Sequence, residues 1–268
     1  MKRIDVLPDD VLLDIFDFYI IMNLNDTYGE KTSVEAWQSL FHVCQRWRSL
    51  VVESRRRLNM QLYCTTKTPV RDKLYVWPAL PLIIGGDMSS LRTDNIIAAL
   101  RQTDRVRQIS LWNLKDCQLE IFLAAMQVPF PELTDLQLGP VLYSLVVPVI
   151  PDSFLGGSAP RLRIFALQGI PFPGLPKLLS SATHLVHLTL TDIPFYGYIS
   201  PKAMIALLSV LSNLVTLTLQ FDSTLFCPDG ESPNLPPLKR SILPALTSLD
   251  LKGDNEYLEE LVIDIDTP

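Results

Sequence analysis

Cysteine is scarce in this chain and scattered. Cys44, Cys64, Cys117 and Cys227 lie far apart, with none of the close pairs that a structural zinc site or a disulfide framework needs, so they read as free thiols of a reducing compartment. Histidine is scarcer still, and His184 and His187 at the start of a strand point in different directions with no acid or thiol beside them. No metal is expected. No apolar run approaches the roughly 18 residues that span a bilayer. The stretch from Val141 to Ile150 is short and is cut by Pro148. The amino terminus, Met1 to Pro8, reaches its first acid at Asp5 with no apolar core of signal-peptide length, so a soluble protein of the cytoplasm or nucleus is expected, with no membrane partner. An excess of positive charge is also missing. A net charge of -6 and a pI near 5.1 argue against a general nucleic-acid binder, which needs a basic face. Catalytic signatures are absent too: there is no Gly-x-Ser-x-Gly, no His-Glu-x-x-His and no Gly-x-x-x-x-Gly-Lys, while Gly85-Gly86 and Gly156-Gly157 sit in turn contexts. The expectation is a protein that is not an enzyme and holds no cofactor.

What is present is a large apolar content, 48% of 268 residues against only 19% charged, enough for an ordered chain with a sizeable core. One basic stretch stands out. Arg46, Arg48, Arg55, Arg56, Arg57, Lys67, Arg71 and Lys73 stand against only Glu53 and Asp72, and read as a solvated junction between modules, the alternative being a surface for an acidic partner. Ahead of it, Pro8 opens a helix expected over residues 9 to 21. Asp9, Asp10 and Asp14 lie near the positive end of its dipole. Its apolar positions Val11, Leu12, Ile15, Phe16 and Tyr19, with Leu13, Phe18 and Ile20 pointing elsewhere, leave most of its circumference apolar, so it must be covered on more than one side. Trp37, Leu40, Phe41, Cys44 and Trp47 then recur every three or four residues, predicting a second amphipathic helix whose tail carries Leu50 and Val51. Cys44 and Trp47 on that apolar face read as packing groups.

The two half-motifs, Leu7-Pro8-Asp9-Asp10-Val11-Leu12-Leu13-Asp14-Ile15-Phe16 and Trp37-x-x-Leu40-x-x-Val43-Cys44-x-x-Trp47-Arg48-x-Leu50, resemble an F-box. That is the three-helix module by which substrate receptors attach to the Skp-family adaptor of cullin-RING ubiquitin ligases. The resemblance covers about residues 5 to 52. It departs from the family over residues 22 to 35, a polar, turn-rich link longer than usual. The resemblance implies an exposed apolar strip for the adaptor made of Leu7, Pro8, Leu12, Ile15, Phe16, Val43, Cys44, Trp47 and Leu50. Read from the residues alone, the same helices also suit a cap over the first strand of a repeat array.

After a strand-like link at Leu58 to Tyr63, one pattern recurs: apolar, two residues, apolar, one residue, apolar. Its copies are Leu133-x-x-Leu136-x-Leu138, Leu162-x-x-Phe165-x-Leu167, Leu185-x-x-Leu188-x-Leu190, Leu214-x-x-Leu217-x-Leu219 and Leu246-x-x-Leu249-x-Leu251. Val106-x-x-Ile109-x-Leu111 precedes them, and Trp77-x-x-Leu80-x-Leu82 is read as the first. From Leu80 to Leu249 the central residues step by 29, 27, 29, 23, 29 and 32, the period of leucine-rich repeats. Between the copies lie helices: Ile96, Ile97 and Leu100 after a cap at Thr93 or Asp94, Leu119, Phe122, Leu123 and Met126 after one at Asp116, and Met204, Leu207, Leu208 and Leu211 after Ser200-Pro201. Segments such as Ile170 to Pro176 and Leu235-Pro236-Pro237, which hold five of the 21 prolines, are expected to be non-helical rim loops.

A doubly wound sheet would need central strands that are apolar on both faces. Here Thr134, Asp135 and Gln137, or Val186, His187 and Thr189, alternate with the leucines and leave one face wet. The expected fold class is therefore α/β: an amino-terminal three-helix module at 5–52, a junction with a first strand-like link at 53–75, and a horseshoe-shaped right-handed solenoid of about seven repeats at 76–268. The combination resembles the F-box and leucine-rich-repeat proteins abundant in mushroom-forming fungi. A last helix is expected after Asp254 with Leu258, Leu261, Val262 and Ile265, and either it closes the array or the chain is a truncated product.

The parity of the strands projects Trp112, Asp135, Gln137, Gln168, His187, Thr189, Gln220, Asp250 and Lys252 side by side on the concave face, where a protein substrate is expected. Trp112 has no packing role in the repeat formula and is either an anchor for that substrate or a shield for a neighbouring loop. The resemblance thus implies the substrate-recognition subunit of an SCF-type ubiquitin ligase, with the Skp-family adaptor and cullin-RING core as partners. The alternative is a repeat scaffold that binds a protein partner without any ligase role.

Overall fold

A computed structural model of the chain describes residues 7–24, 36–67, 69–77, 80–89, 93–141, 147–221, 241–253 and 255–266. Most of the polar link at 22 to 35, the Leu235-Pro236-Pro237 loop, Cys227 and the cap Asp254 lie outside them. The protein is α/β. Its main sheet holds eight strands, β1 (Leu62–Cys64), β2 (Leu82–Asp87), β3 (Val106–Leu114), β4 (Asp135–Pro140), β5 (Ile164–Gln168), β6 (His187–Ile193), β7 (Thr216–Phe221) and β9 (Ser248–Lys252). Every neighbouring pair is parallel and the spatial order follows the chain. A short parallel pair, β8 (Ser241–Ile242) with β10 (Ile265–Asp266), stands apart.

The register supplies the packing rule. Cys64, Ile84, Ile109, Leu136, Phe165, Leu188 and Leu217 pair in line across the sheet, and all are buried. A second column, Leu111, Leu138, Leu167, Leu190 and Leu219, runs beside them. Alternate residues on the other face are half-exposed, as a period of two requires when only one face is covered. Two expectations fail here. Leu80 is not the first central residue: β2 starts at Leu82, and Ile84 is the partner of Ile109, so the hexamer beginning at Trp77 is out of register by four. Leu249 holds the right register opposite Leu217 yet is 42% exposed, because β9 is the last strand of the sheet and no further strand flanks it among the described residues. Within the stretch read as the junction and strand-like link, β1 is a member of the main sheet.

The strand ends share a turn. Asn113 (φ 57°), Gly169 (φ 63°) and Asp192 (φ 52°) each stand two residues past a second-column leucine in the left-handed region. Glycine enters that region freely, and asparagine and aspartate tolerate it. The turn returns the next residue, Leu114, Ile170 or Ile193, to the core.

Helices connect the strands: α4 (Val70–Val76), α5 (Asp94–Leu100), α6 (Asp116–Ala125), α7 (Leu175–Leu179), α8 (Pro201–Leu208) and α9 (Asn255–Ile263). Among them α4 packs on α5, α5 on α6, α7 on α8 and α8 on α9. Helix α8 begins as its sequence predicts, Ser200 Oγ accepting the Ala203 amide at 3.3 Å with Pro201 in the first turn. For α6 the cap moves back one residue: Lys115 is the cap, and its amide is held by Gln118 Oε1 at 3.0 Å. Pro176, expected in a loop, lies in the first turn of α7, where a backbone N–H has no acceptor within the helix and its loss costs little. In α9 the buried residues are Tyr257 and Leu261, while Val262 is exposed and Ile265 belongs to β10. Gly85-Gly86 belongs to β2, not to a turn. Among the described residues no helix is long and apolar enough to cross a membrane.

Before the sheet come α1 (Asp9–Leu24), α2 (Ala36–Phe41) and α3 (Gln45–Glu53). The single amphipathic helix expected from Trp37 to Val51 is broken at His42-Val43, and Cys44 is the extended cap of α3 (φ -157°, ψ 172°). His, Val and Cys are all weak helix formers, and the break separates two packing jobs. Trp37 and Phe41 on α2 stack edge-on against Trp77 at centroid distances of 4.9 and 4.8 Å, and Trp37 Nε1 donates to the Gln61 carbonyl at 3.2 Å. Trp47 on α3 meets Phe16 of α1 at 4.7 Å.

The basic junction is not merely solvated. Arg46 Nε donates to Asp9 at 3.1 Å, Arg57 pairs with both Asp14 and Asp17, and Arg48 lies over the Phe41 ring while donating to the Phe41 carbonyl. Arg105, its pKa lowered by burial, donates to the carbonyls of Trp77 and Leu80 and fixes the approach to β2. The acids of α1 thus have a second use beyond its dipole: they clamp α1 to the arginines of the junction. Exposed pairs contribute little each. Arg46→Ala is expected to cost about 1 kcal/mol or less in denaturant unfolding, and the loss is expected to shrink in 0.5 M salt.

Candidate functional site

The helical end and the uncovered sheet face are the two surfaces on which candidate residues gather. At the helical end the nine residues expected to form one exposed strip divide. Leu12, Phe16 and Leu50 are buried in the core and so do not belong to an exposed strip. The reason is geometric: α1 sets this face down on α2 and α3, and Phe16 stacks on Trp47. Leu7, Cys44 and Trp47 are half-buried, and Pro8 is exposed. Ile15 at 45% and Val43 at 57% exposure remain apolar surface. Phe18 at 66%, with Val11 and Tyr19, adds to it. The near-continuous apolar circumference of α1 is the sequence signal for these three, which the helix turns outward.

On the sheet, register places the second set on one face. Asp135 and His187 share the first row, in line with Gln108, Ile164 and Thr216. Gln137, Thr189 and Asp250 share the second with Ser110, Ala166 and Thr218. Trp112, Gln168, Gln220 and Lys252 stand toward the carboxyl ends of their strands, Trp112 opposite Asp87 and Gln220 opposite Lys252. Side chains of adjacent strands are linked by Gln108 Nε2 to Asp135 (3.2 Å) and Gln220 Nε2 to Asp250 (3.2 Å). Gln168 Nε2 donates to Asp192 at 3.0 Å.

The face is hollowed near its β1 end. There a recess of about 350 Å³ is lined by Tyr63, Gly85, Asp87, Ser110, Trp112 and Asp135 with their neighbours Ile83, Gly86, Gln108, Asn113 and Gln137. Glycines make its depth. A Cβ on Gly85 would stand 2.8 Å from the Tyr63 hydroxyl, and one on Gly139 would stand 2.5 Å from the Trp112 ring, which lies across β4 with Nε1 donating to Ser110 Oγ at 3.0 Å. Burial raises the Tyr63 pKa. Asp87 Oδ1 accepts the Ser89 amide at 2.7 Å and Oδ2 accepts from Asn113 Nδ2 at 3.0 Å; the amide bond first, then Asn113, holds this carboxyl below its usual range, so it is ionised throughout the neutral range. A second hollow of about 430 Å³ lies at the strand entries, lined by Arg107, Asp135, Arg163 and His187 among others.

Of these, Tyr63, Asp87, Arg107, Asn113 and Arg163 were not picked out by the sequence. Asp87 and Asn113 carried a signal, an acid and an αL-tolerant residue at the wet ends of adjacent strands, but it depended on the β2 register that the Leu80 assignment obscured. Trp112 is held by its hydrogen bond and by Gly139. Gly139→Ala is expected to displace the indole and to cost about 1–3 kcal/mol as overpacking, read as a shift in the Trp112 indole NMR resonance and a lower unfolding midpoint. Among the described residues no group of three His, Cys, Asp or Glu is placed to hold a metal ion. No protein-family model matches the chain, and comparison with curated proteins and with solved structures likewise finds no match.

Proposed function

We propose that this chain is the substrate-recognition subunit of an SCF-type cullin-RING ubiquitin ligase. In this reading α1, α2 and α3 form an F-box that docks on a Skp-family adaptor, and the sheet is a leucine-rich-repeat solenoid whose concave, uncovered face holds the protein to be modified. The observation that carries it is the apolar surface left at the helical end after these helices have packed on one another and on Trp77: Val11, Ile15, Phe18 and Tyr19 on α1, and Val43 at the break between α2 and α3, stay exposed. A helical cap serving only to protect β1 has no use for them, and exposed apolar patches mark contact surfaces. The parallel strands in chain order, with one buried and one wet face, support the repeat reading. The test is affinity capture of the tagged full chain. Adaptor and cullin subunits are expected in the captured set, and exchange of Trp112, His187 and Asp250 together for Ala or Ser is expected to remove other partners while sparing those subunits. A scaffold with no ligase role predicts partners but neither adaptor nor cullin.

A further inference from the structure

We propose that the recess between Tyr63 and Trp112 receives a basic side chain, arginine or lysine, from the bound protein, its charge meeting Asp87 and its stem lying along the aromatic walls. The inference rests on the reading of this sheet face as the target-binding face, and is independent of what the helices bind. Three observations carry it together. First, the recess is lined by two carboxylates, Asp87 and Asp135, and by no lysine or arginine. Among the described residues neither carboxylate takes part in an ion pair. Asp87 is held by the Ser89 amide on Oδ1 and by Asn113 on Oδ2, with the Ser89 side chain also acting on it, and the roughly four acceptor positions of a carboxylate leave room for a further donor. Asp135 is the lesser contributor, since Gln108 and Thr134 both donate to its Oδ2 and it borders the second hollow with Arg107. Second, Tyr63 and Trp112 line the recess, and a cation near an indole or phenol ring is attracted by the ring quadrupole. Third, the depth comes from glycine at 85, so the Tyr63 hydroxyl rests against the strand and leaves the space above open.

The other ligand classes fit worse. An anion would face two carboxylates, and a purely apolar group would cover Gln108, Asn113 and Gln137 without partners for them. A guanidinium satisfies both the acid and the amide carbonyls, and its planar fork stacks on aromatic rings.

The experiment titrates the full chain with three small probes, N-acetylargininamide, N-acetyllysinamide and the neutral isostere N-acetylcitrullinamide, following the Trp112 indole N–H by NMR after its assignment with Trp112→Phe. Saturable shifts are expected for the two cations, with a Kd on the order of a millimolar as befits a single side chain, and at least about tenfold weaker binding for citrulline. Asp87→Asn, which keeps an acceptor for Ser89, is expected to weaken the cations about tenfold, and Glu120→Gln on α6 to leave them unchanged. Equal response to citrulline, no response to any probe, or an Asp87→Asn protein that binds the cations as before would overturn the proposal. If Asp87→Asn fails to fold, the comparison of arginine with citrulline on the unaltered chain still decides. The two readings fail separately. Loss of captured partners in the Trp112, His187 and Asp250 variant with a negative titration leaves the target face in place and removes the cation site. A positive titration with unchanged partners does the reverse.

Discussion

Leu188→Asp is expected to unfold the protein or to cost at least about 4 kcal/mol, while the neighbouring Thr189→Asp is expected to stay within about 0.5 kcal/mol. The two positions differ by one residue and by one face. Leu188 is fully buried, paired with Phe165 on one side and Leu217 on the other, so a carboxylate there has neither water nor a cation within the column. It must either ionise in an apolar core or bind a proton, and both outcomes oppose folding. Thr189 stands on the half-exposed face between Ala166 and Thr218, where an added carboxylate keeps its water. Because whole domains are stable by only about 5–15 kcal/mol, the first substitution removes a large part of the total. Urea unfolding by circular dichroism measures both. Equal losses would mean that the buried column and the wet rows have been exchanged.

The second large effect concerns the helical end. Ile15→Asp combined with Val43→Asp is expected to leave the fold intact and to weaken adaptor binding by about a thousandfold, each anchor counting for roughly 2 kcal/mol. Ile15 is 45% and Val43 57% exposed, and neither belongs to the buried core, so neither change opens a cavity there. Phe16→Ala is the instructive contrast. It removes a fully buried ring that stacks on Trp47 and is expected to cost about 3–5 kcal/mol of stability, so its effect on capture would report unfolding. Titration of purified adaptor against each folded variant separates the two. Undiminished binding by the Ile15 and Val43 double variant moves the contact away from this surface.

The strands and their faces were legible because one rule, the alternation around Leu136, Phe165, Leu188 and Leu217, repeats often enough to set its own register. Where the chain supplied a competing pattern, the rule misled. Trp77-x-x-Leu80-x-Leu82 fits the hexamer as well as any copy, yet Arg105 holds the Trp77 and Leu80 carbonyls and the strand begins only at Leu82. Leu249 fits the pattern but, among the described residues, has no strand on its outer side, which no local sequence encodes. In the helices, periodicity located the apolar residues without saying which would be covered: Leu12 and Phe16 face inward while Ile15 and Phe18 on the same helix do not. The break at His42-Val43 had no proline or glycine to announce it. On the wet face the parity puts Trp112 and Asp135 on the same side of the sheet, but the recess depends on Tyr63, Gly85 and Asp87, brought together by the pairing of β1 with β2 and of β2 with β3.

The most direct measurement is a titration of the purified full chain with a purified Skp-family adaptor, followed by isothermal calorimetry and size-exclusion chromatography. The proposed function predicts a one-to-one complex with a micromolar or tighter Kd, lost in the Ile15→Asp and Val43→Asp double variant and kept in the Trp112, His187 and Asp250 variant. A folded chain that shows no heat and no co-elution with the adaptor at tens of micromolar would contradict it.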